Sequence, residues 1–145
     1  MDEKDDKYFM NKALEQARQA FDKDEVPIGA VVVCNGQIIA RAFNLTETLN
    51  DVTAHAEMQA ITSAANYIGG KYLTDCTLYV TVEPCPMCAG ALAWAQISRI
   101  VYGATDAKRG CHHFIGIHHP KTIVEGGVLE VECSALMKEF FAKKR

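Results

Sequence analysis

Between Tyr8 and Phe21 the apolar residues fall at helical intervals, with Phe9, Ala13, Ala17 and Ala20 on one line and Met10, Leu14 and Phe21 beside them. That spacing predicts an amphipathic helix. The period then changes. "PIGAVVVCNGQIIARAFN" (27–44) reads as two strands around Asn35-Gly36, a dipeptide suited to the corners of a tight hairpin. Helical spacing returns from about Thr53 to Ile68 and stops at Gly69-Gly70. "CTLYVTV" (76–82) predicts a buried strand, Pro86 suits the first turn of a third helix, and "RIVYGA" (99–104) predicts a fourth strand. "TIVEGG" offers a short fifth. "EVECSALMKEFFAKK" predicts a last helix with Cys133, Leu136, Met137, Phe140 and Phe141 on its apolar face.

An antiparallel hairpin followed by β-α-β crossovers predicts an α/β fold of three layers, α-β-α, with a single mixed sheet of about five strands and helices on both faces. Residues 1–145 have the length of one domain, and 49% of them are hydrophobic, enough for a real core. In such sheets, ligands bind beyond the carboxyl ends of strands, where helices begin.

Two of the predicted helix starts carry chemistry. "TAHAEMQAI" places His55 and Glu57 at the second helix, and "EPCPMCAGAL" places Cys85 and Cys88 at the third. A Cys-x-x-Cys pair alone reads equally as a redox pair, half a zinc ribbon or two core cysteines. A redox pair needs no His55, and a ribbon needs a second such pair, which is absent. With His55 there are three protein ligands, the pattern of a catalytic zinc with one open position. Two thiolates cancel the charge of the ion, so activating water calls for an assisting base, and Glu57 is the candidate. Residues two apart on a helix point about 200° away from each other. The pair can share a site only at the helix end, just after Thr53, a candidate cap. Standing alone, His55 would read as a core histidine and Glu57 as a first-turn carboxylate favoured by the helix dipole.

No apolar run approaches the roughly 18 residues of a membrane span, and the charged start "MDEKDDKYFM" lacks the apolar block of a signal peptide. The expectation is a cytoplasmic protein with no membrane partner. Six cysteines in such a compartment point to buried thiols or metal ligands, with Cys34, Cys76 and Cys133 as inert core thiols. The net charge of −3 is unevenly spread: residues 99–145 hold eight Lys/Arg against five Asp/Glu. A polyanion should prefer that last third, above all the tail of Lys138, Lys143, Lys144 and Arg145.

His-x-Glu followed by Pro-Cys-x-x-Cys resembles the signature of the cytidine deaminase-like zinc hydrolases. Within them the chain resembles the bacterial tRNA-specific adenosine deaminases, through "EVPIGAVVV", "FNLTETLNDVTAHAEMQAI", "LYVTVEPCPMCAGAL", "RIVYGATDAKRG" and "GGVLEVECSALMKEFF". The resemblance implies one zinc per chain on His55, Cys85 and Cys88. It implies that Glu57 takes a proton from the attacking water and passes it to the amino group that leaves as ammonia. Asn44 would hydrogen-bond the base edge, Ile28 would pack on the base, and Asp106 and Lys108 would line the groove for a tRNA anticodon loop. It also implies a homodimer in which the apolar helix "AGALAWAQI" takes part.

The likeness breaks between Arg109 and Thr122, where "CHHFIGIHHPKT" replaces a longer stretch. His112, His113, His118 and His119 in this segment fit a solvated loop better than a second metal site, since adjacent histidines point apart in extended chain. The leading expectation is hydrolytic deamination of adenosine to inosine at the tRNA wobble position. The alternatives are a free nucleobase or nucleoside deaminase, such as a guanine deaminase, and a non-catalytic zinc or RNA-binding protein.

Overall fold

A computed structural model describes residues 4–144. Arg145, expected above to add to the basic tail, lies outside the described residues. The chain runs α1 (Asp6–Asp22), β1 (Gly29–Cys34), β2 (Gln37–Phe43), α2 (Ala56–Ile68), β3 (Cys76–Val82), α3 (Pro86–Trp94), β4 (Arg99–Ala104), a 3-10 turn (Cys111–His113), β5 (Ile123–Glu125) and α4 (Glu130–Lys143). The five strands form one sheet in the order β2-β1-β3-β4-β5. β1 pairs antiparallel with β2 and β3, while β3, β4 and β5 run parallel. This is the mixed three-layer arrangement expected from the sequence.

Helices cover both faces, which is why β1 and β3 are buried along nearly their whole length rather than at every second position. In β1, Ala30 and Val32 face a core shared with Ala56, Ala60 and Ala64 of α2 and Leu92 of α3. Val31 and Val33 face the other core, with Phe9, Met10, Ala13 and Leu14 of α1 and Cys133 of α4. The hairpin turns at Asn35 and Gly36 with φ of 52° and 74°, the left-handed values their types tolerate. α2 ends where expected, at Gly69 with φ 80°.

Three details differ from expectation. α2 begins at Ala56, three residues after Thr53, because Thr53 is used in a turn: its N–H and Oγ1 both donate to Asp51 Oδ1, at 2.8 and 2.7 Å. On α4, Phe140 is buried but Phe141 is 45% exposed, so the apolar face is narrower than drawn. Cys76 and Cys133 are buried as expected, whereas Cys34, at the hairpin end of β1, is only partly so.

Candidate active site

The crossovers deliver two helix starts to the same end of the sheet. His55 caps α2 with φ −69° and ψ 155°, and Cys85 caps α3 with φ −74° and ψ 168°. Both are extended residues, half in and half out of their helices, so their side chains clear the first turn. This resolves the angular difficulty of His55 and Glu57: only Glu57 is helical, and the pair meets beyond the helix end. Pro86 fills the first turn of α3, where its missing N–H costs no bond, and Cys88 follows within the same turn.

His55 Nδ1 lies 3.7 Å from Cys85 Sγ and 3.5 Å from Cys88 Sγ. A tetrahedral zinc, with bonds of about 2.3 Å to sulfur and 2.05 Å to nitrogen, separates those atoms by about 3.6 Å. The donor set therefore fits the ion in type and spacing. It is also the only group of three or more His, Cys, Asp or Glu side chains among the described residues that is close enough to hold one. The dipoles of both helices favour thiolate here. The hydrogen bond from Cys88, aided by that from His55, brings the Cys85 thiol down to about 4, and the Cys88 thiol rises in exchange.

Glu57 is 3% exposed, and its Oε1 has no hydrogen-bond partner in the protein. Burial pushes its carboxyl up to about 7. A buried carboxylate oxygen without a partner is costly, so its place beside the three ligands points to a partner that the chain does not itself supply.

Two hollows open on these groups. The inner one, ≈190 Å³, is lined by Ile28, Asn44, Thr46, His55 and Glu57 among others. Asn44 is nearly buried. Its Nδ2 donates to the Val26 carbonyl at 3.4 Å and its Oδ1 accepts from Thr46 N–H at 3.3 Å, both long bonds. The outer cleft, ≈1180 Å³, shares Ile28, His55, Glu57 and Cys85 and extends along Asp106, Lys108, Arg109, Phe114, Met137, Lys138 and Phe141. All eight residues singled out in the sequence thus border one connected region or lie directly behind it. Asp106 Oδ1 accepts from the N–H groups of Lys108 and Arg109, at 3.1 and 3.0 Å, which shapes its own loop.

Two buried carboxylates that the sequence reading passed over hold the walls of this region. Glu25, fully buried, accepts from Glu47 N–H, Thr48 N–H and Thr48 Oγ1 at 3.1, 2.6 and 2.6 Å, fixing the loop between Asn44 and His55. Those bonds outweigh the burial and hold its carboxyl below the usual range. Glu83 accepts from Asp106 N–H and His112 N–H at 3.1 and 2.8 Å, and from His112 Nδ1–H. A Cβ at Gly110 would stand 2.2 Å from Glu83 Oε1, so only glycine allows this approach. The signal available in sequence was a charged residue at the edge of an apolar strand: Glu25 before "VPIGAVVV" and Glu83 after "LYVTV".

The four histidines are not simply solvated. His112 is tied to Glu83, His113 Nε2–H donates to the Ala107 carbonyl at 2.7 Å, and His119 Nδ1 accepts from Lys121 N–H at 3.1 Å. His118 is half-buried, with Nδ1 unpartnered, and burial lowers its pKa. The basic tail is also redirected. Lys144 pairs at 2.6 Å with Asp24, just past the end of α1, and Lys143 sits 4.4 Å from the ring centre of Phe21 on α1. The cations that border the cleft are Lys108, Arg109 and Lys138.

Fold and site together define a deaminase: the chain belongs to the MafB19-like deaminase family, whose model matches residues 4–145. Its relatives narrow this further. It is 45% identical over 147 residues to the tRNA-specific adenosine deaminase of Bacillus subtilis, spanning 97% of this chain and 91% of that protein. It is 43% identical to that of Agrobacterium fabrum, with 95% of each covered. A solved tRNA:A34 deaminase, studied for A-to-I editing at the wobble position, superposes with a TM-score of 0.83 at 45% identity, covering 89% of this chain and 98% of that one. A guanine deaminase from Nitrosomonas europaea superposes with a TM-score of 0.85 at 25% identity, covering 94% and 84%.

Proposed function

We propose that this chain, acting as one domain, converts adenosine at the wobble position of tRNA to inosine and ammonia with one zinc ion. The observation that carries the chemistry is the unpartnered, buried Glu57 carboxylate oxygen beside a ligand set of zinc spacing. The kinship with tRNA-specific adenosine deaminases supports the substrate.

His55, Cys85 and Cys88 would hold the zinc. When bound, it supplies the Lewis acidity that makes water nucleophilic near neutral pH. Glu57 receives the proton of the attacking water and delivers it to the amino nitrogen, so that water adds at carbon and ammonia leaves. Asn44 and Ile28, in the inner hollow, orient the base. Asn44 does so with an amide whose protein bonds are long enough to be shared with a ligand. An anticodon loop is single-stranded, so its base enters the hollow without breaking a pair. Asp106 shapes the outer wall, and Lys108 offers its charge to phosphate.

Phosphate neutralisation makes binding fall with salt, by about −0.7 in log–log slope for each single-strand contact. Lys138→Ala should therefore raise the Michaelis constant for an anticodon stem-loop and flatten the slope by about one contact. Deleting Lys143–Arg145 should do neither to a comparable extent, because Lys143 and Lys144 are engaged by Phe21 and Asp24. Single-turnover deamination at several salt concentrations checks this. A stem-loop substrate whose binding ignores salt would overturn the RNA reading.

We also propose that the chain works in the cytoplasm as a homodimer. Trp94, 85% exposed at the end of the apolar α3, is an expensive group to leave in water and supports a covered face. No helix among the described residues is long and apolar enough to cross a membrane.

A further inference from the structure

The 3-10 turn of Cys111–His113, between Arg109 and Thr122, is followed at once by Phe114. This ring is half exposed, yet it lines the same cleft as Glu57 and Cys85. It is not a loose side chain on a loose loop. The turn that carries it is pinned from several sides. Glu83, 3% exposed, takes His112 N–H at 2.8 Å and His112 Nδ1–H at 2.8 Å. Cys111 N–H donates to the Pro84 carbonyl at 2.9 Å, and the backbone N–H of Phe114 returns to Cys111 at 3.0 Å. The rings of His112 and His113 lie 4.1 Å apart, and His113 is itself bonded to the Ala107 carbonyl. A buried charge and five hydrogen bonds thus hold an apolar ring where water, rather than protein, covers half of it.

The surroundings of that ring define what it could receive. Lys108, Arg109 and Lys138 border the same cleft, and Phe141 on α4 is the other exposed aromatic along it. A flat π-surface among cations suits a ligand that is itself flat, aromatic and anionic along its backbone. The inner hollow that holds Asn44 and Glu57 includes neither Phe114 nor any of the cations. With the reacting base in the inner hollow, as proposed above, Phe114 is left to contact another part of the substrate. Unstacked bases of single-stranded loops are commonly held on aromatic side chains in this way.

We propose that Phe114 is a substrate-contacting residue on which a nucleobase flanking the reacting adenosine stacks, and that His112, through Glu83, is the positioning residue that holds it there. This rests on the tRNA reading above. It assigns a role to the segment between Arg109 and Thr122.

The test is single-turnover deamination of an anticodon stem-loop by the zinc-loaded full chain. Phe114→Ala and Phe114→Leu should each raise the half-saturating protein concentration about tenfold, the order expected for one lost stacking contact, and leave the rate at saturation unchanged. Phe114→Tyr keeps the π-face and should match the parent protein. His112→Ala should show the same split between binding and rate. His112→Asn, whose amide N–H can occupy the place of Nδ1–H, should restore binding. Parent-like half-saturation in the Ala variant overturns the proposal, and so does parent-like behaviour of the Leu variant, which would show that bulk rather than stacking matters. A parent protein that ignores the stem-loop but converts a free purine overturns the RNA reading, and this proposal with it.

Discussion

Glu57→Gln protein should keep its fold and its zinc and lose turnover by roughly 10²–10⁴-fold for the proton transfers it serves. The substitution preserves the shape of the side chain and removes its charge and its ability to carry a proton. Glu57 stands in the first turn of α2, 3% exposed, with one oxygen unpartnered. A carboxylate in that situation is retained against its own desolvation, so replacing it by a neutral amide should leave the melting temperature equal or raise it. Loss of activity with equal or greater stability is the signature of a functional group, and zinc content separates it from a damaged metal site. Retained zinc with activity within about tenfold of the parent would show that another group moves the proton.

The second large effect belongs to the ligands. Cys85→Ala should reduce zinc from about one ion per chain to a trace and abolish activity, because two remaining donors do not form a closed site. Chelation of the parent protein should do the same reversibly. It should also lower the melting temperature, since an ion bound only by the folded state stabilises that state by mass action. Zinc should restore both properties and magnesium neither, because thiolates prefer soft ions. Metal analysis, activity and melting on one preparation check the three outcomes together. An active preparation without zinc, or a Cys85→Ala variant that keeps its metal, would contradict the assignment of these ligands.

Much of this was legible in the chain because the relevant signals are local. Strongly apolar runs at 29–34 and 76–82 marked strands, and Asn35-Gly36 marked the hairpin turn between the first two. His55, Glu57, Cys85 and Cys88 could be grouped because each lies at a helix start after a strand, and such starts gather at one end of a sheet. One local signal was passed over: Asp51, two residues before Thr53, accepts from its N–H and hydroxyl in a turn, and the helix starts only at Ala56. The rest of what escaped was non-local. Glu25 and Glu83 read as ordinary charges until loops 22 to 29 residues away fold over them and donate their N–H groups. Lys144 looked free for phosphate because its partner, Asp24, is 120 residues distant. Phe141 follows Phe140 in sequence, yet the helix turns one ring inward and the other toward the cleft.

The close superposition of a guanine deaminase shows that this fold serves both free bases and RNA, so fold alone does not choose the substrate. The choice rests on the relatives at 43–45% identity and on the cations of the outer cleft. One measurement addresses it directly. The zinc-loaded protein is incubated with tRNA bearing adenosine at the wobble position and, separately, with free guanine and free adenosine, and nucleosides and ammonia are quantified by mass spectrometry and enzymatic assay. Inosine at that position, matched by ammonia one for one and absent with the Glu57→Gln protein, is the expected result. Unmodified tRNA alongside efficient conversion of a free purine would contradict it.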